Sequence, residues 1–221
     1  MMLLRHISVA LTAAMVTLGS AIFIARNYFY PRRTWSPYAQ YATIKEEKED
    51  PRKRQVLVLG LDGAGKSSVL QGLTPSGGKR GHCRPTRGFN FVSLSAPACQ
   101  LDFLEIGGGE ELRPYWLEYL IRTHVLVYVV DSSDRGRLPL AKLELHRLLR
   151  VQPQLPVVVL GNKQDKTDAV SVSELHEALS LGSVVEDRKL FLLAAQLGSD
   201  SALRNSCRDL DTLQDLLLQL V

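Results

Sequence analysis

Residues 60–67 read Gly60-Leu61-Asp62-Gly63-Ala64-Gly65-Lys66-Ser67, the pattern G-x-x-x-x-G-K-S. The apolar run before it, residues 55–59, reads as a buried strand, and Ser68-Val69-Leu70 after it opens a helix. A strand, a glycine-rich turn and a helix start aim several backbone N–H groups at one point. The positive end of the helix dipole lies there too, and the combination suits a phosphate. Lys66 adds a charge that reaches outer phosphates, and Ser67 offers an oxygen to Mg²⁺. A chain with this unit must build a sheet whose strand ends carry the loop.

A second signal follows about a hundred residues later. Asn162-Lys163-Gln164-Asp165 closes the apolar run 155–160. Guanine presents two adjacent donors, N1–H and the 2-amino group, and the Asp165 carboxylate accepts both. Adenine lacks the amino group and would leave that carboxylate unpaired, which is costly in a dry site. Lys163 lays its stem along a base, and Asn162 ties this loop to the phosphate loop. The alternative is a plain polar turn after a strand, which the phosphate loop disfavours.

Strand and helix patterns alternate. Residues 89–95 and 100–106 read as two strands joined by a turn at Ala96-Pro97-Ala98, and 124–131 as a strongly apolar strand. Residues 139–150 have helical spacing through Leu140, Leu143, Leu145, Leu148 and Leu149. A strand at 155–160, a short helix at 173–179 capped by Ser173, a strand at 190–194 and a closing amphipathic helix at 211–221 complete the series. Residues 74–79 read as a loop. Continuous apolar strands between helices imply a mainly parallel sheet covered on both faces, with one antiparallel hairpin at its edge. Ligands of such sheets sit at the carboxyl ends of the strands.

Charge separates the chain into two parts. Residues 1–54 hold nine Lys and Arg against four Asp and Glu, whereas the remainder holds 18 against 19. The basic excess belongs to the N-terminal tail, so no nucleic-acid surface is expected. Cys83, Cys99 and Cys207 are odd in number and scattered, which fits a reducing compartment. His82 beside Cys83 has no partner cluster and reads as a loop, not a metal site.

Residues 7–25 are 19 positions without a charge. As a helix they span about 28 Å, close to a hydrocarbon core of about 30 Å. Arg26, Arg32 and Arg33 follow, which places the rest of the chain in the cytosol. A cleaved signal peptide is disfavoured by the run's length and by the flank that carries the charge. A surface-lying helix is disfavoured because no polar face is visible. The expected organisation is a single-pass membrane anchor at 1–30, a flexible tether at 31–54 and a globular domain at 55–221.

Five segments then carry a resemblance: the phosphate loop, Pro85-Thr86-Arg87-Gly88-Phe89-Asn90, Ile106-Gly107-Gly108, Val130-Asp131-Ser132-Ser133-Asp134 and Asn162-Lys163-Gln164-Asp165. Together they resemble the ADP-ribosylation factor-like group of small GTPases over residues 55–221. The resemblance implies a P-loop NTPase fold of the small-GTPase type, an α/β domain with a mostly parallel six-stranded sheet and helices on both faces. GTP or GDP with Mg²⁺ would be the ligands. Gly60 through Ser68 would hold the phosphates. Thr86 in switch I would ligate Mg²⁺ alongside Ser67, and Gly108 in switch II would give its N–H to the γ-phosphate. Ala195 would place an N–H near guanine O6. Effector proteins would dock on the switch regions, with Phe89, Tyr115 and Trp116 as candidate contacts; packing in the core or between the switches is the alternative for each of the three. An exchange factor and an activating protein are further implied partners.

Three positions depart from the group's pattern. Gly109 stands where the water-orienting glutamine is usual, followed by Glu110, so slow hydrolysis is expected. Glu105 replaces an aspartate; it is expected to hold Mg²⁺ through water, with a weaker dependence of nucleotide binding on the ion. Met2 stands where a myristoylated glycine is usual, so attachment through residues 7–25 should not depend on nucleotide. Three readings stand at this point: a tethered GTP-binding switch, a GTPase served by an activating protein, and a scaffold that does not cycle.

Overall fold

The computed structural model describes residues 50–73, 86–184, 188–196 and 203–221. The anchor, the tether up to residue 49, the 74–79 loop and the His82-Cys83 pair lie outside the described residues. In chain order the elements are β1 (Lys53–Leu59), α1 (Lys66–Leu73), β2 (Phe89–Ser95), β3 (Gln100–Ile106), α2 (Trp116–Leu120) and β4 (Val125–Asp131). These are followed by α3 (Leu138–Val151), β5 (Val157–Asn162), α4 (Val172–Ala178), β6 (Leu190–Ala194) and α5 (Leu203–Leu220). Single 3₁₀ turns precede α2 and α3 and follow α4.

One sheet runs β2-β3-β1-β4-β5-β6, antiparallel only between β2 and β3. The apolar runs are explained by burial on both faces. In β4, Leu126, Tyr128 and Val130 enter one core with Trp116, Leu145 and Leu175, while Val125, Val127 and Val129 enter the other with Val69, Leu213 and Leu217. Strands β1 and β5 alternate the same way. Every strand but β2 therefore ends its carboxyl terminus at one rim of the sheet, where both sequence motifs stand.

Several expectations shift. β1 starts at Lys53, so the last tether residues pair with β3, and Arg54 Nε donates to the Val221 carbonyl at 3.4 Å. The α4 cap is Ser171, not Ser173: Ser171 Oγ accepts from Glu174 N at 3.2 Å while Glu174 Oε2 accepts from Ser171 N at 2.8 Å. A capping box needs the acid three residues on, and only Ser171 has it. Leu143 is exposed on α3, whose buried stripe is Leu138, Ala141, Leu145, Leu148 and Leu149. α5 begins at Leu203, ahead of the expected 211.

Candidate functional site

The phosphate loop leaves β1 and turns into α1 through three glycines with positive φ, Gly60, Gly63 and Gly65. Gly65 shows why the pattern demands glycine: at φ +96° a side chain is strained, and a Cβ there would collide with Asn162 Nδ2. That closeness is functional. Asn162 is fully buried at the end of β5, and its Nδ2 donates to the Ala64 carbonyl at 2.9 Å. The two motifs, 98 residues apart, are thereby stitched together as expected.

Lys66 opens α1 with only 5 % of its surface exposed, its Nζ donating to the carbonyls of Gly60 (2.9 Å) and Leu61 (3.0 Å). Burial lowers its pKa to about 8; the charges of Glu105 and Asp62 oppose that, and Arg113 reinforces it. Asp62 is held in turn by Arg137 at 3.1 Å and Arg113 at 3.7 Å. Arg113 also donates from Nε to the Gly108 carbonyl at 3.0 Å. Gly108 itself packs so closely that a Cβ would collide with the backbone of Gly60, Leu61 and Asp62. Its peptide therefore lies directly against the phosphate loop.

Ser67, Thr86 and Glu105 converge although they come from α1, the segment before β2, and β3. Ser67 Oγ donates to Glu105 Oε1 at 2.7 Å, Thr86 Oγ1 donates to the same oxygen at 3.0 Å, and the two hydroxyls are 3.1 Å apart. Glu105 is 1 % exposed, and its second oxygen accepts from Asn90 Nδ2 at 2.7 Å. Two hydroxyls and one carboxylate form an all-oxygen donor set, the chemistry Mg²⁺ prefers. Among the described residues no cluster of three or more His, Cys, Asp or Glu offers another kind of metal site. Bound there, Mg²⁺ would neutralise phosphate charge. The role of Asn90 escaped sequence reasoning; its alignment with Glu105 across the β2–β3 pair was the available signal.

The loop that carries Asn162 to Asp165 is braced by Asp131. Its Oδ2 meets Lys163 Nζ at 2.6 Å, and its Oδ1 accepts from Ser133 N (3.0 Å) and Ser133 Oγ (2.6 Å). Burial raises the Asp131 pKa, but these hydrogen bonds outweigh it and hold the carboxyl below its ordinary value. Lys163 takes a left-handed backbone, φ 63°, at the loop's corner. Gln164 turns inward to Ser132 Oγ at 2.8 Å, and Asp165 is exposed.

Two expectations are corrected here. The N–H of Ala195 donates to the Gly161 carbonyl at 2.9 Å and extends the β5–β6 ladder, so it does not face the base pocket. The next N–H, of Gln196, donates to Asp209 Oδ2 at 3.1 Å. Trp116 is not an effector contact: it is fully buried, edge-on to Tyr128 with centroids 6.5 Å apart, and its Nε1 donates to the Gly107 carbonyl at 3.1 Å. Phe89 and Tyr115 are exposed, as is Phe91. At the missing glutamine, Glu111 folds over Gly109, its carboxylate 2.6 Å from where a Cβ would stand.

Comparison with known proteins agrees with this geometry. The model of the ADP-ribosylation factor family matches residues 40–213. ADP-ribosylation factor-like protein 9 of Homo sapiens is 45 % identical over 166 residues, covering 75 % of this chain and 86 % of that one. ADP-ribosylation factor-like protein 10 of Mus musculus is 40 % identical over 209 residues, covering 85 % and 86 %. Among solved structures, the Arl6 BBS3 small GTPase of Trypanosoma brucei, with the nucleotide analogue GppNp bound, superimposes with a TM-score of 0.65 at 25 % identity. The match covers 76 % of this chain and 99 % of that one.

Proposed function

This chain belongs to the ADP-ribosylation factor family, and we propose that it is a membrane-tethered guanine-nucleotide switch that hydrolyses GTP very slowly by itself. The observation that carries the reading is the Asn162–Ala64 hydrogen bond, which holds the phosphate loop against the loop at residues 162–165. The GppNp bound to the Trypanosoma brucei relative supports a guanosine triphosphate at these two loops. In this reading Lys66 and the loop N–H groups bind phosphates, and Ser67, Thr86 and Glu105 hold Mg²⁺. Asp165, at the rim, reads the guanine edge. Its exposure leaves it open to a base arriving from solvent.

Slow hydrolysis follows from Gly109, which has no group to align an attacking water. A single-turnover assay checks this, and a rate equal to that of a glutamine-bearing relative refutes it. Tethering follows from the uncharged run at residues 7–25 and places the nucleotide domain in the cytosol. Alkaline-carbonate washing of membranes tests it; release into the supernatant refutes it. Calorimetry on the full chain tests the whole reading. GTP and GDP should bind and ATP should not, and Asp165→Ala should erase that preference. Equal binding of ATP by the wild type ends the proposal.

A further inference from the structure

We infer that Glu105 binds Mg²⁺ directly through Oε1, displacing the water that a shorter carboxylate would leave between itself and the ion. The inference deepens the nucleotide-binding reading above and rests on it. Three oxygens from separate segments, Ser67 Oγ, Thr86 Oγ1 and Glu105 Oε1, lie 2.7, 3.0 and 3.1 Å from one another. Mg²⁺ takes near-ideal octahedral ligands at 2.0–2.1 Å, which places adjacent ligands about 2.8–3.0 Å apart. The triangle, whose edges here are hydrogen bonds, comes within about 0.1 Å of the spacing of one face of that octahedron, with the glutamate oxygen as one corner.

The carboxylate is fixed in that corner. The Glu105 backbone is paired on both sides, with Val58 of β1 and Asn90 of β2, so its Cα cannot retreat. The Asn90 amide engages Oε2 at 2.7 Å and leaves Oε1 turned toward the hydroxyls. Its hydrogen-bond donors are two hydroxyls and one amide, all neutral, around a carboxylate that is 1 % exposed; the Lys66 ammonium acts on it by charge but hydrogen-bonds the Gly60 and Leu61 carbonyls instead. A buried anion with neutral donors is well suited to a bound cation. An aspartate on the same Cα is shorter by one C–C bond, about 1.5 Å. Its oxygen would fall short of the triangle and leave space for a water. The extra methylene therefore strengthens the dependence on Mg²⁺, reversing the expectation drawn from the replacement of the group's aspartate.

The test uses the full chain loaded with Mn²⁺ and a non-hydrolysable GTP analogue in ¹⁷O-enriched water. Electron paramagnetic resonance line broadening counts the waters on the ion. Wild type should hold one water fewer than Glu105→Asp, and EDTA should accelerate nucleotide release more in wild type than in the variant; equal or smaller acceleration in wild type counts against the direct bond. In case Glu105→Asp does not fold, wild type labelled with ¹³C-glutamate supplies a second readout, a hyperfine coupling between Mn²⁺ and the carboxylate carbon. Equal water counts, or no such coupling in wild type, overturn the direct bond while the Mn²⁺–nucleotide signal itself remains. Absence of any Mn²⁺–nucleotide complex in wild type removes the premise, and the inference with it.

Discussion

Lys66 carries a charge in a place that opposes charge, and its titration is measurable as stability. The side chain is 5 % exposed, and burial brings its pKa from the ordinary 10.5 down to about 8. Below pH 8 the ammonium is protonated in folded and unfolded chains alike, so it adds no pH dependence. Between pH 8 and 10.5 the unfolded chain holds more protons, so stability rises with pH. The shift corresponds to about 3 kcal/mol in full, of which about 2.5 kcal/mol appears between pH 7 and pH 10. Lys66→Met provides the reference, because every other titrating group is common to both proteins. Urea denaturation of nucleotide-free protein at pH 7 and pH 10 should show wild type gaining about 2.5 kcal/mol on the variant. With GDP and Mg²⁺ present the gain should vanish, because phosphate holds the ammonium charged. A wild-type-minus-variant difference that stays flat across this range refutes the account of Lys66 as a desolvated charge.

Other outcomes follow from single contacts. Asn162→Ala leaves the buried Ala64 carbonyl without its 2.9 Å donor; a loss of about 1–3 kcal/mol and faster GDP release are expected, from the urea midpoint and a fluorescent-nucleotide chase. Gly109→Gln should raise single-turnover hydrolysis on the order of 10²-fold, the scale of a misplaced reacting group; the obstructing Glu111 carboxylate ends an exposed, flexible side chain that swings aside. Trp116→Ala should cost about 3–5 kcal/mol as a core deletion, whereas Phe89→Ala, at a residue 63 % exposed, should change stability by less than about 0.5 kcal/mol. Thermal melts of the two variants separate core from surface at this rim.

Much of the site was legible because it is written in contiguous residues. The loop from Gly60 to Ser67 specifies backbone conformation locally, through glycines that reach positive φ and a helix start that follows at once. The apolar runs state their own burial: a strand covered on both faces has no polar alternate positions, as in Val125–Asp131. The β2–β3 hairpin was legible to the residue because its turn, Ala96-Pro97-Ala98, punctuates two runs of equal length. Ser171, not Ser173, caps α4 because Glu174 stands three residues after it, a spacing already present in the sequence.

What residue order alone determined was the class of fold and the two loop motifs, since each depends on side chains that are neighbours along the chain; Gly109 stands out only against the pattern of the family that the chain resembles. Tertiary structure decided which distant atoms meet. It set the Ser67–Thr86–Glu105 triangle, the Asn90 hold on Glu105, the commitment of the Ala195 N–H to Gly161, and the burial of Trp116. Those facts depend on strand register and packing, where a shift of one residue turns a side chain to the opposite face, and no local spacing encodes that choice.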